Sequence, residues 1–378
     1  TMTNTAWSQV RKELHRMAEL SEHEYKTAKR IAKELRPFHP DNLIENLGGT
    51  GIAAVFEGKE PGKTLLFRAE LDALPIQEIN EFEHRSDTDG VSHKCGHDGH
   101  MTTLLALAKK LRNEQLPQKG RVVLLFQPAE ENGEGAKAIL ADPKFKDIEP
   151  DEVFSWHNLP GYEMNSVILK KDNFNAAVKS IIVKLHGKTS HAGEPEKGIN
   201  PASALADMIT QSLKYSNNEP ERKDFTLVTP IHAAMGEIAY GISAGYAELR
   251  LTIRTWSESE MEKLEQNILR TIESTADKYG IPVETSWTQE FSANFNSSDT
   301  LEKVRKSSEA LSLQTIRKEI PFKWGEDFGL FTQKYPGAMF GIGSGLNTPA
   351  LHNPDYDFPD ELIETGSDIL LEVIRSNQ

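Results

Sequence analysis

One cysteine and three histidines share the decapeptide Val91-Ser92-His93-Lys94-Cys95-Gly96-His97-Asp98-Gly99-His100, and that cysteine is the only one in 378 residues. The run opens onto Met101, Leu104, Leu105, Leu107, Ala108 and Leu111, a spacing that predicts a helix from about Asp98 to Arg112. A thiolate and an imidazole two positions apart at a helix N-terminus suit a metal ion. Taken alone, the pair could equally be a small buried thiol and a packed ring. Glu130-Glu131 strengthens the metal reading, because adjacent carboxylates repel and burying both without a cation is costly. By itself such a pair is a solvated turn. With His157 and His352 the chain offers Cys, His, Glu, His and His, enough donors for two metals sharing one ligand. The spare carboxylate of the pair could then take a proton from metal-activated water.

These residues fall at the ends of apolar strands. Thr64 to Arg68 runs into Ala69-Glu70-Leu71-Asp72, Val122 to Phe126 into Gln127-Pro128-Ala129-Glu130-Glu131, and Glu152 to Trp156 into His157-Asn158-Leu159-Pro160. In open α/β sheets ligands bind beyond the carboxyl ends of the strands, so the three segments are expected to converge. Two helices fill residues 5 to 36, and a further strand, Ile52 to Phe56, follows. From about Ala176 the order changes to strand, helix, two strands, helix, strand. Its second helix, Glu258 to Lys278, has a capping box in Ser257 and Glu260 and ends at Gly280. After Ser292 a helix, Leu301 to Leu311, the strand Ala338 to Ile342, the loop carrying His352 and a last helix, Asp360 to Ile374, return to the earlier style. The expected fold is α/β: a catalytic domain with a mixed sheet over 1–175 and 293–378, interrupted by an inserted α+β domain over 176–292.

Composition narrows the function classes. A net charge of -14 argues against a nucleic-acid partner, which needs a clustered positive surface. No apolar run reaches the length of a membrane span, and Thr1-Met2-Thr3-Asn4 has neither a basic nor an apolar leader character. A lone cysteine forms no internal disulfide, so a reducing, cytoplasmic setting is expected. Thr1 ahead of Met2 reads as an expression scar. A thiol redox sensor is disfavoured, since no second cysteine can resolve an oxidised Cys95.

Six segments occur in register: Arg68 to Pro75, Cys95 to His100, Pro128 to Glu131, His157 to Pro160, Ser190-His191-Ala192, and Glu326-Asp327-Phe328 with Leu351-His352. Together with the opening His15-Arg16-Met17-Ala18-Glu19-Leu20-Ser21 they resemble the amidohydrolase branch of the aminoacylase and carboxypeptidase metallopeptidase family. That branch includes hippurate hydrolases, N-acetyldiaminopimelate deacetylases and auxin-conjugate hydrolases. The resemblance implies that Cys95 bridges two divalent ions (Mn, Zn, Co or Ni), with His97 and His157 on one and Glu131 and His352 on the other. It implies Glu130 as general base and later acid, Asp72 as the residue orienting a ligand histidine, and His191 as a lid histidine reaching a substrate carbonyl. A homodimer through the inserted domain and a small amide substrate follow from the same likeness. His93 and His100 match no ligand position and are expected beside the site or at the surface; Arg254, ending a lid strand, is expected to meet a substrate carboxylate or to sit in a solvated ion pair, the second being the commoner fate of such an arginine. Three departures stand out: Glu70 replaces the usual aspartate, Glu237 to Ser243 lacks the family's Asn-x-Ile-Pro, and Asn200 precedes Pro201 in place of aspartate. The rival readings are a dipeptidase, aminopeptidase or carboxypeptidase using the same centre, and a catalytically silent binding protein.

Overall fold

Strands buried on both faces read as continuous apolar runs, and Val122 to Phe126 forms the middle of such a strand, Lys119–Gln127. It lies within an eight-stranded mixed sheet ordered Asn42–Leu47, Gly51–Glu57, Lys119–Gln127, Glu60–Glu70, Glu152–Leu159, Gly337–Gly343, Val167–Leu169 and Thr315–Arg317. Lys119–Gln127, Glu60–Glu70, Glu152–Leu159 and Gly337–Gly343 run parallel, so their carboxyl ends share one edge. The computed structural model describes residues 2–378; Thr1, read above as a scar, lies outside them.

The helix His97–Asn113 is buried along most of its length and packs with Glu361–Ser376 and Met2–Arg16 in the first core. Its start is set by Gly96, whose φ of 89° is left-handed and whose added Cβ would stand 2.5 Å from the Asn158 amide. Only glycine meets both demands. Several short strands, Asn42–Leu47, Val167–Leu169 and Thr315–Arg317 among them, have no counterpart in the sequence reading. Three to six residues carry too little periodicity to stand out.

The chain forms two compact units, residues 2–174, 294–319 and 326–378 in one and Asn175–Ala293 with Ile320–Gly325 in the other. The sequence reading keeps 320–325 with the catalytic part. The segment joins the second unit because Ala176 N–H donates to Phe322 O and Asn175 bridges Phe322. That unit has its own core beneath an antiparallel sheet ordered Thr226–Met235, Tyr246–Thr255, Ala177–His186 and Val283–Phe291. Its long helix Glu258–Tyr279 is capped by Ser257 Oγ, which accepts from Glu260 N–H at 3.3 Å, and stops at left-handed Gly280.

Candidate metal centre

The parallel strands deliver their side chains to one edge. Glu60–Glu70 leads to Asp72, Lys119–Gln127 to Glu130 and Glu131, while His157 lies inside Glu152–Leu159, which runs three residues beyond Trp156, where the sequence reading ended that strand. His97 opens the central helix and His352 sits in the loop beyond Gly337–Gly343. Cys95, His97 and His157 place one donor atom each within 4.8 Å of one another, as do Cys95, Glu131 and His352. Cys95 is thus common to both sets.

Cys95 Sγ stands 3.4 Å from His157 Nε2. His97 Nδ1 faces the main-chain oxygen of Asp72 at 2.7 Å, which directs Nε2 to 3.5 Å from both Glu130 Oε1 and Glu131 Oε1. His97 Nε2 and Glu131 Oε1 are buried and make no hydrogen bond. Glu131 Oε2 lies 3.8 Å from His352 Nε2, and the His352 ring is half exposed. Asp72 works on both sides, since its Oδ2 accepts from Glu131 N–H at 2.9 Å and from Ser21 Oγ at 2.8 Å.

The electrostatics follow from crowding acids out of water. Burial, then Glu326 and Glu131, push the Glu130 carboxyl well above its usual range. Burial likewise pushes Glu131 up to about 7 despite the opposing His97. The Cys95 thiol is raised by burial and by Glu131. Burial and the neighbouring His100 hold His157 down to about 3, leaving a neutral imidazole of the kind a metal takes. Acids raised by burial and by neighbouring acids, beside orphaned donor atoms, form a set that a divalent cation would satisfy. The residues therefore fit two ions, and the thiolate, imidazole and carboxylate mixture suits the Zn, Co, Ni or Mn range.

Of the two places expected for His93 and His100, the structure has the first, beside the site. His93 and His100 are both buried, so neither is at the surface. His100 Nδ1 meets Glu70 Oε2 at 2.7 Å, and both ring nitrogens of His93 lack partners. Glu70, the longer carboxylate, is held by Arg68, which also pairs with Glu326 and Asp327. Among the described residues Arg254 forms no ion pair, and its Nη1 donates to Lys323 O at 2.7 Å. His191 belongs to the second unit, on the short strand Ser190–His191 paired with Ile242–Ser243; its ring is exposed and Nδ1 accepts from Gly193 N–H at 3.0 Å. Glu24, which no motif singles out, reaches the main chain just before Glu130, with Ala129 N–H donating to its Oε1 at 2.9 Å.

The profile of peptidase family M20/M25/M40 matches residues 66–376. An N-acetylcysteine deacetylase of Bacillus subtilis (strain 168) is 29% identical over 366 residues, covering 96% of this chain and 94% of its own length. An N-acetyldiaminopimelate deacetylase of Bacillus licheniformis is 30% identical over 369 residues, 97% of each chain. Among solved structures, a dinuclear metal binding peptidase of the M20 family from Bacillus subtilis superposes with a TM-score of 0.83 at 26% identity, covering 99% of this chain and 98% of that one. A match over most of the length, on a sheet whose parallel ends gather two overlapping donor sets, identifies the chain as a member of peptidase family M20/M25/M40.

Proposed function

We propose that this protein is a metal-dependent amidohydrolase that cleaves N-acyl amino acids, or similar small amides, to a carboxylate and a free amine. One observation carries the reading: a thiol shared between two donor sets, with a spare buried carboxylate, Glu130, beside the glutamate of one set. Cys95, His97 and His157 would hold one ion, and Cys95, Glu131 and His352 the other. Bound there, two divalent ions polarise the amide carbonyl and lower the pKa of water from 15.7 to about 7. Glu130 takes the proton of the attacking water and passes it to the leaving nitrogen, tasks for which its buried carboxyl beside Glu131 is placed. Asp72 fixes the His97 ring through its main-chain oxygen and the turn of Glu131 through its carboxylate. To His191 we assign support of the oxyanion, a role that rests on the family likeness; Gly193 occupies its Nδ1, leaving Nε2 for substrate.

The two deacetylases named above support an acyl amino acid as substrate. A homodimer through the inserted unit is supported by its edge strand Thr226–Met235, which is exposed from Thr229 onward and leaves Ile231 59% accessible. Among the described residues no helix is long and apolar enough to cross a membrane. The cytoplasm remains our proposal for location, on the strength of the free thiol. Domain limits near 175 and 293 are part of the same reading.

The test is a hydrolysis screen of N-acetyl and N-benzoyl amino acids beside dipeptides, after separate loading with Mn, Zn, Co and Ni. Release of free amine from the acyl substrates is expected. Preference for dipeptides would turn the assignment to a peptidase, and no turnover with any metal would leave a binding protein.

A further inference from the structure

Three hydrogen bonds end on one buried carboxylate that none of the sequence motifs includes. Glu24 is fully buried; its Oε1 accepts from Ala129 N–H and Glu22 N–H, each at 2.9 Å, and its Oε2 from Thr50 Oγ1 at 2.8 Å. Ala129 and Glu22 both have left-handed backbone, with φ of 49° and 69°. For residues with a Cβ that conformation is strained, and it persists where surrounding contacts over-determine it. Ala129 immediately precedes Glu130. Its main-chain oxygen is also engaged, accepting from Gly135 N–H at 2.9 Å. Gly135 must be glycine, since an added Cβ would fall 1.6 Å from Pro128 O. The turn from Pro128 to Gly135 is therefore pinned at its entry by Glu24, at Glu131 by Asp72, and at Ala136 by Asp327, whose Oδ2 accepts from Ala136 N–H at 3.0 Å.

We propose that Glu24 is a positioning residue for catalysis: by holding Ala129 in the left-handed region it aims the Glu130 side chain at the water and the leaving nitrogen. The inference rests on Glu130 being the base. Asp72 and Asp327 hold the later part of the turn, so removing Glu24 releases Ala129 and Glu130 while Glu131 keeps its own anchor. The effect should appear in the chemical step and leave the metal in place.

The test measures kcat, KM and metal content in Glu24→Ala, Glu24→Gln, Glu24→Ala with Ala129→Gly, and Glu130→Gln. Loss of a group that supports an active-site residue costs about 10- to 100-fold. Glu24→Ala should lower kcat by that factor with KM and bound metal unchanged. Ala129→Gly should recover most of the loss, because glycine enters the left-handed region without steric cost. Glu24→Gln should also recover it, since an amide oxygen still accepts from Ala129 N–H. It keeps the test decisive if Glu24→Ala does not fold. Wild-type kcat in Glu24→Ala, loss of metal in it, failure of Ala129→Gly to restore activity, or a Glu24→Gln as poor as the alanine variant would each overturn the proposal. An active Glu130→Gln would overturn the assignment of the base itself; an inactive one beside a normal Glu24→Ala would overturn the role of Glu24 alone.

Discussion

Two buried acid clusters of the first unit differ in their counter-ion: one has a guanidinium at its centre and the other pairs with no arginine or lysine among the described residues. Around Arg68 the carboxylates of Glu70, Glu326 and Asp327 converge on a guanidinium with no exposed surface. Asp327 and Glu70 have further partners: Asp327 accepts from the Gln127 amide at 2.8 and 2.9 Å and from Ala136 N–H, and Glu70 meets His100. Around Glu130 and Glu131 no arginine or lysine pairs with either acid among the described residues, and a buried oxygen and a ring nitrogen are left without hydrogen bonds. A closed network of this kind fixes structure, whereas acids buried without a counter-ion describe a site that waits for one. The same residue type thus serves as scaffold in one cluster and as chemistry in the other.

The comparison can be broken most severely at Glu130. Glu130→Gln should lower kcat by about 10²- to 10⁴-fold, the span of general acid–base catalysis, with metal content by elemental analysis unchanged. Cys95→Ser, by contrast, should lose metal, and normal occupancy in that variant would remove the shared thiolate from the scheme.

At the scaffold cluster the expected loss is in stability. Arg68→Met leaves three acids buried without their cation, which should cost about 3–5 kcal/mol in denaturant unfolding. A loss near zero would mean that the cluster is less closed than its geometry indicates.

A third buried network sharpens the contrast through pH. Burial alone would lower the pKa of His15, but hydrogen bonds to Asp98 at 2.9 Å and Glu78 at 2.8 Å override it and push it up to about 9. A group protonated more readily when folded contributes stability that is complete below its unfolded value near 6.5 and is lost as pH rises through 9. The contribution is about 3 kcal/mol at most, read as a falling unfolding free energy between those limits. Glu78 acts in the opposite sense. Against the opposing effect of burial, His15 and Lys94 hold it down to about 2, so its share is present above about pH 4.5 and lost as the pH falls toward 2. A His15→Phe variant whose stability keeps the same alkaline slope would refute this assignment.

Beyond the loss of turnover, metal removal should show a smaller effect in stability. Chelation should lower the melting temperature, and metal added in excess should restore it, because an ion that binds only the folded chain stabilises it by mass action. An unchanged melting temperature would place the two acid clusters in one class.

Donor types and strand ends were legible because they are local: an apolar run of four to eight residues followed by Asp, Glu or His announces a strand edge carrying chemistry. The long helices were equally legible from periodicity and from Ser257 and Gly280. What escaped was pairing at a distance. Arg68 meets Glu326 across 258 residues and Glu24 meets Ala129 across 105, and neither partner bears a local mark of the other. Which of their two expected places His93 and His100 take, beside the site or at the surface, was open for the same reason. Their burial depends on what the helix His97–Asn113 packs against, which its own pattern does not reveal.

By itself, then, the sequence determined which elements form and which side chains could bind metal or move protons, since both follow from residue type and spacing over a few turns. The tertiary structure alone decided that Arg68 neutralises one group of acids while another has no arginine or lysine partner among the described residues, and that Glu24 holds the turn before Glu130. Those outcomes depend on ångström-scale approach between residues far apart in the chain, and approach of that kind is set by packing.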